Sequence, residues 1–214
     1  MPETILAIGA HNDDHIIGAG GTLIKYHKEG KRFKTVIFSY GEVSHPHLKP
    51  EVIVAKRIKE AKESDGLMGG SGITYLGAYD RTFDDDIRLL DIKKKIRSII
   101  RKEKPSKIFT HAPDDAHPNH RAAHKAVMEA VAGLEDKPEV YSFEVWNFIA
   151  MKNRNRPKLV VDVSDTYKKK IDAFKAHESQ QATIRFLLWK VYLRDYLNGL
   201  NNKCRFAEVF IRLN

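Results

Sequence analysis

The sequence predicts an α/β domain with a mostly parallel sheet flanked by helices. Short β-rich runs alternate with helical stretches along the chain, the pattern of strands joined by helical crossovers. Apolar segments are spread evenly over 214 residues with no linker between them, so a single domain spanning 1–214 is expected. Two predicted strands also run straight into clusters of ionisable residues, at the end of a parallel sheet where ligands bind.

The elements follow in order. Apolar residues 4–10 form the first strand, His11-Asn12-Asp13-Asp14-His15 a polar turn, and 22–29 a helix that stops near Gly30. Residues 34–40 read as a second strand, ended by Gly41-Glu42. Ile53, Ala55, Ile58 and Ala61 recur at helical spacing within 51–65, before a glycine-rich break at 66–72. A short strand at 73–76, a helix at 87–103 and a strand at 107–111 come next, followed by a second polar cluster from His111 to His120 and a helix holding His124. Strands at 140–145 and 159–163 flank a polar loop at 153–157, and helices are expected at 165–177 and 179–197. The aromatics of the last helix, Phe186, Trp189, Tyr192 and Tyr196, fall at helical intervals. That spacing favours core, with a homo-oligomer contact as the alternative if the rings are exposed.

Composition narrows the function. Lys and Arg number 37 against 28 Asp and Glu, a net charge of +9, but runs such as Lys93-Lys94-Lys95 and Lys168-Lys169-Lys170 lie in amphipathic segments and read as solvated helix faces. The excess suits an anionic small-molecule substrate; nucleic acid is disfavoured, because no basic stripe with interleaved aromatics and no known module accompanies it. Cys204 is the only cysteine, so there is no intramolecular disulfide, and any metal must take nitrogen and oxygen ligands. No signal-type amino terminus and no apolar run of membrane-spanning length is visible, so a cytoplasmic protein is expected.

Each polar cluster has a bland reading beside a functional one. Asp and Asn after a strand often cap the next helix, and for the first cluster alone that reading has equal weight. A dinucleotide site fits poorly, since Gly18, Gly20 and Gly21 do not have the required spacing and two carboxylates would face the phosphates; these glycines suit close helix packing. Two loops at the carboxyl edge of one parallel sheet can converge, however, and a catalytic ion needs three protein ligands with positions left open. His11, Asp14 and His120 supply that set for Zn²⁺ or another divalent transition metal. Such an ion acidifies water and polarises a carbonyl, leaving a base and an acid to be found: Asp13 for the base, His117 for the acid and oxyanion donor.

Ala10-His11-Asn12-Asp13-Asp14-His15 and His117-Pro118-Asn119-His120 resemble the two motifs, A-H-P-D-D-E and H-P-D-H, of the PIG-L/LmbE-like deacetylases. Gly20-Gly21-Thr22, Gly41-Glu42, Arg57-Ile58-Lys59-Glu60-Ala61, His177-Glu178-Ser179-Gln180 and Phe206-Ala207-Glu208-Val209-Phe210 are similar to family features too, so the resemblance covers nearly the whole chain. It implies a Rossmann-like fold and zinc-dependent hydrolysis of an N-acetyl group, usually on an amino sugar. Asn12 replaces the motif's proline, while His15 and Asn119 replace carboxylates expected to orient the ligands, with His15 a candidate extra ligand. With an amide at position 119, His117 should lose its proton more easily, unless Asp114 or Asp115 stands in.

Arg57 and Glu42 are candidate substrate contacts, with a structural ion pair as the alternative. His27 suits surface or packing, His45 and His47 could line the mouth, and His124 is left out because a fourth protein ligand would close the site. The expected function is removal of acetyl from an N-acetylated amino sugar or sugar conjugate. Two alternatives are kept: a metal-dependent phosphoesterase, which commonly needs two ions, and a metal-binding homologue without turnover.

Overall fold

The structure is a computed structural model that describes residues 2–45, 49–147 and 155–214. Strand β1 (Thr4–Gly9) is buried along its whole length. Its side chains alternate, Ile5 and Ala7 entering one apolar core and Leu6 and Ile8 the other, so helices must cover both faces. Parallel to it run β2 (Arg32–Ser39) on one side and β4 (Lys107–His111) on the other. Outward from these lie β3 (Ile73–Ala78) beyond β2 and β5 (Glu139–Phe143) beyond β4, both parallel to their neighbours. Strand β7 (Ala207–Arg212) is antiparallel to β5 and to the edge strand β6 (Lys158–Asp162), giving a seven-stranded sheet ordered β3-β2-β1-β4-β5-β7-β6 among the described residues. The chain leaves β1 in one direction and returns to its other side at β4, so a crevice opens beyond the carboxyl ends of these two strands.

Helix α1 (Asp14–Lys28) packs on one face with α2 (Pro50–Met68), α6 (Tyr167–Lys175) and α7 (Gln181–Asn201). On the other face lie α3 (Phe83–Leu89), α4 (Ile92–Glu103) and α5 (Pro118–Ala132), where Ile92, Ile96 and Ile100 face Ala123, Val127 and Ala130. The glycines of α1 let the helix press onto the sheet: a Cβ on Gly18 would stand 2.3 Å from the Phe143 ring, and one on Gly21 2.8 Å from Val163. A buried charge network holds the same helix from behind. Lys170 bridges Asp195 and Glu208 at 2.6 and 2.7 Å, Glu208 accepts from the Gly21 and Thr22 amides, and Arg194 donates to the Ile17 carbonyl. Such charges are tolerable inside a protein only when fully paired.

Several expectations are corrected. Helix α1 begins at Asp14 rather than near residue 22, because the glycines are helical and used for contact. The single helix expected at 87–103 is two, broken where Asp91 takes a left-handed conformation at φ 50°. The inner face of α2 carries Arg57, Glu60, Ser64 and Asp65 beside Ile53, Ala61 and Met68, while Ala55 faces solvent. Strand β7 is not among the strands that the sequence predicts. Phe186, Trp189 and Tyr192 are exposed rather than core, since Ile184, Leu187 and Val191 form the inner face of α7. Part of the polar loop at 153–157, and His47, lie outside the described residues. Among the described residues no helix is long and apolar enough to cross a membrane.

Gly18→Ala should therefore lower stability by about 1–3 kcal/mol in urea unfolding, because the added methyl displaces Phe143 from a closed core. Unchanged stability would show that α1 can move away from β5.

Candidate metal centre and active site

The first cluster sits on the turn from β1 into α1. Asp13 occupies the cap position yet makes no side-chain capping bond, so capping does not account for it. Asp14 turns back and accepts from the His11 amide at 2.7 Å, which fixes the carboxylate at the carboxyl end of β1. Asn12 compensates for the missing proline with side-chain bonds, accepting from the Tyr75 hydroxyl at 2.7 Å and donating to the Tyr40 carbonyl. Across the crevice, the second cluster runs from the end of β4 into α5, with His117 at the cap and His120 in the first turn.

The two loops meet. His120 Nε2 lies 3.3 Å from His11 Nδ1 and 3.3 Å from Asp14 Oδ1, and His11 Nδ1 lies 3.5 Å from Asp14 Oδ2. A tetrahedral ion with bonds near 2.1 Å spaces its ligands roughly 3.4 Å apart, so these three donors fit one ion. Each imidazole also presents its other nitrogen to a carboxylate: His11 Nε2 is 3.3 Å from Asp80 Oδ1, and His120 Nδ1 is 3.0 Å from Asp115 Oδ1. This is the arrangement by which outer carboxylates orient metal-binding histidines. The support expected to be lost with His15 and Asn119 therefore comes from Asp80 and Asp115.

A second group, His111, Asp115 and His120, is also close enough to share an ion. Its donors are committed elsewhere. His111 Nε2 accepts from the Ala10 amide at 2.9 Å, and Asp115 accepts from the amides of His117, Val145 and Trp146. It serves as support for the first group.

Burial disfavours charge on His11, but the carboxylates of Asp14 and Asp80 outweigh it and push its pKa up to about 10. Burial likewise opposes charge on His120, which Asp14 and Asp115 nevertheless hold above the usual histidine range. Asp14, despite its burial, is kept well below the carboxylate range by His120, His111 and His11. The triangle is thus a cation-seeking cluster. His117 behaves oppositely: burial, then the charges of His120 and His11, bring it down to about 4. Its Nδ1 accepts from the Asn119 amide at 3.2 Å, which leaves Nε2 to carry the proton of the neutral ring.

A cavity of 250 Å³ opens on these groups, with Asp13, Asp14, His11 and His117 in its wall. Arg57 lines it as well and stands 3.4 Å from Asp13, so both readings of Arg57, cavity residue and ion pair, describe the same side chain. Gly41 makes room for it: at φ 75° its hydrogen faces the guanidinium, where a Cβ would lie 2.0 Å from Nη1. Glu42 is 4 % exposed, and both its oxygens are engaged by Ser39 Oγ and the Asp80 amide, so it acts on the site through Asp80. The Asn119 side chain donates to the Asp80 carbonyl, which removes the ground for expecting it to set the proton affinity of His117. His15 belongs to neither donor group; it is buried beside His177, and among the described residues neither ring nitrogen of the two has a hydrogen-bond partner. His124 donates from Nδ1 to the His111 carbonyl at 2.8 Å. Asp80 and His111 were missed as site residues. Asp80 follows β3 at the same sheet edge, a position that could have flagged it.

Residues 6–131 match the PIG-L family, described as GlcNAc-PI de-N-acetylase. The chain belongs to the PIG-L family. It is 28 % identical over 207 residues to a diacetylchitobiose deacetylase of Thermococcus kodakarensis, covering 90 % of this chain and 75 % of that one. It is 26 % identical over 217 residues to a probable N-acetyl-alpha-D-glucosaminyl L-malate deacetylase 2 of Bacillus anthracis, covering 95 % and 91 %. Among solved structures, the N,N'-diacetylchitobiose deacetylase of Pyrococcus horikoshii superposes with a TM-score of 0.81 at 23 % identity, over 99 % of this chain and 84 % of that one. At that identity the likeness speaks to the fold, and the PIG-L fold is the one found here.

Because His11, held at about 10, carries a proton near neutrality without an ion, uptake of a divalent cation must expel it. Calorimetry in buffers of different ionisation heat should give about one proton released per ion at pH 7, with affinity rising as pH rises toward 10. Affinity independent of pH between 6 and 8 would contradict the charge state of the triangle.

Proposed function

We propose that the protein is a zinc-dependent N-deacetylase that hydrolyses the acetamido group of an amino sugar or an anionic amino-sugar conjugate. The observation that carries this reading is the donor triangle of His11, Asp14 and His120 in a cavity wall that also holds Asp13 and His117. When bound there, Zn²⁺ or another divalent transition metal supplies Lewis acidity to an amide carbonyl and to water.

The side chains do the rest. Asp13, held by Arg57 but outside the donor triangle, takes a proton from the attacking water as its oxygen bonds to the acetyl carbon. His117 presents its Nε2–H to the developing oxyanion, and the proton taken up by Asp13 passes to the nitrogen as the C–N bond breaks, so that acetate and a free amine leave. Arg57 and Asp80 offer a cation and an acceptor to the substrate's polar groups, and Glu42 fixes Asp80 through its backbone amide. The relatives named for diacetylchitobiose and for a glucosaminyl malate supply the substrate class, and the excess of basic residues favours an anionic conjugate. The phosphoesterase alternative is disfavoured by the commitment of His111 and Asp115 to backbone amides, which leaves one set of donors for one ion.

The test is acetate release from N-acetylglucosamine and its conjugates by metal-loaded protein, with a chelator and phosphate esters as controls. Release that survives complete metal removal, or turnover of phosphate esters alone, would overturn the proposal. Asp13→Asn should retain the ion, measured by elemental analysis, and lose activity on the order of a hundredfold or more, since an amide keeps the shape but cannot accept a proton. Near-normal activity would remove Asp13 from the mechanism.

A further inference from the structure

The cavity wall has two characters. Arg57, Asp80, Ser44 and Gln180 are polar, whereas Val145, Trp146 and Leu187 form an apolar flank. A pyranose has the matching form, with hydroxyls around its edge and a face of C–H groups that are faintly positive toward the negative face of an aromatic ring. Among the described residues Trp146 is the one aromatic of that flank, and its backbone is held by two buried charged side chains. Its amide donates to Asp115, the carboxylate that orients His120, and its carbonyl accepts from the ammonium of Lys190, which is 9 % exposed on α7. The preceding residues are pinned in the same way: Val145 donates to Asp115, and Arg194 donates to the Glu144 carbonyl at 2.6 Å. Phe186 lies 6.4 Å from the indole, centroid to centroid.

We infer that Trp146 is the sugar-recognition platform of this site, its indole stacking on the ring of the acetamido sugar while Asp115 fixes both the platform and His120. The inference rests on the deacetylase reading for the class of substrate. It accounts for an indole, largely apolar and only partly covered, being fixed to the carboxylate that orients a ligand: the sugar face and the reacting amide are then held in one frame. The interaction is made equally in ground and transition states, so its removal should raise KM and leave kcat unchanged.

Two measurements test this. The chain has only two tryptophans, so Trp189→Phe, on the exposed face of α7, isolates the emission of Trp146. Titration of that variant with N-acetylglucosamine should shift or quench the emission saturably, whether or not turnover occurs; no change at saturating sugar would overturn the inference. In steady-state assays, Trp146→Ala should raise KM for N-acetylglucosamine roughly three- to tenfold, with Trp146→Phe recovering most of the loss. Neither variant should change KM for N-acetylethanolamine, which offers the amide without a ring. Equal losses on both substrates, or a fall in kcat alone, would make Trp146 a merely structural residue. A saturable Trp146 response to the sugar in Trp189→Phe, with no acetate released by the wild type, would instead overturn the deacetylase reading and keep the platform.

Discussion

The site depends on how one buried carboxylate is compensated. Asp14 is 2 % exposed, and it meets the His11 amide at 2.7 Å and His120 Nε2 at 3.3 Å. These partners come from two loops separated by about a hundred residues of sequence. An unpaired carboxylate at that depth would be strongly destabilising, so the charge draws the end of β1 and the start of α5 together. The cost of burial and the geometry needed to hold a cation are met by the same contacts.

Around this centre the sheet works as a positioning device. The ends of β1 and β4 bring the donor triangle, the end of β3 brings Asp80, the turn after β2 brings Glu42, and the segment after β5 brings Trp146. Each group is tied to its neighbour by a specific bond: Glu42 holds Asp80, Asp80 faces His11, and Asp115 holds His120, His117 and Trp146 together. Helix α1 can bring Asp13 and Asp14 to the edge only because Gly18 and Gly21 let it lie against Phe143 and Val163. The Lys170, Asp195 and Glu208 network behind it keeps it there.

Local signals in the chain were most legible where one periodicity ruled. The strand at 107–111 was read at its true limits, because an isolated β-rich run between polar turns has few alternatives. Helix α7 shows the opposite case: apolar residues occupy both its faces, and periodicity alone could not say that Leu187 and Val191 turn inward while Phe186 and Trp189 turn outward. Strand β7 owes its identity as a strand to antiparallel pairing between β5 and β6, which no local signal in its residues announces.

For the site, the sequence by itself determined which ionisable side chains gather at one edge of the sheet. Two dense clusters of His and Asp, each following a strand of a parallel sheet, must share an edge, and His11, Asp14 and His120 follow as nitrogen and oxygen donors. The tertiary structure alone decided what stands behind them. His15 and Asn119 suggested that supporting carboxylates were lost, yet Asp80 and Asp115 occupy that role, one from the loop after β3 and the other from beside the ligand it orients. Hydrogen-bond partners are set by distances of about three ångströms between atoms far apart in the chain. A linear motif records which groups are present, and only the folded sheet brings each one to its partner.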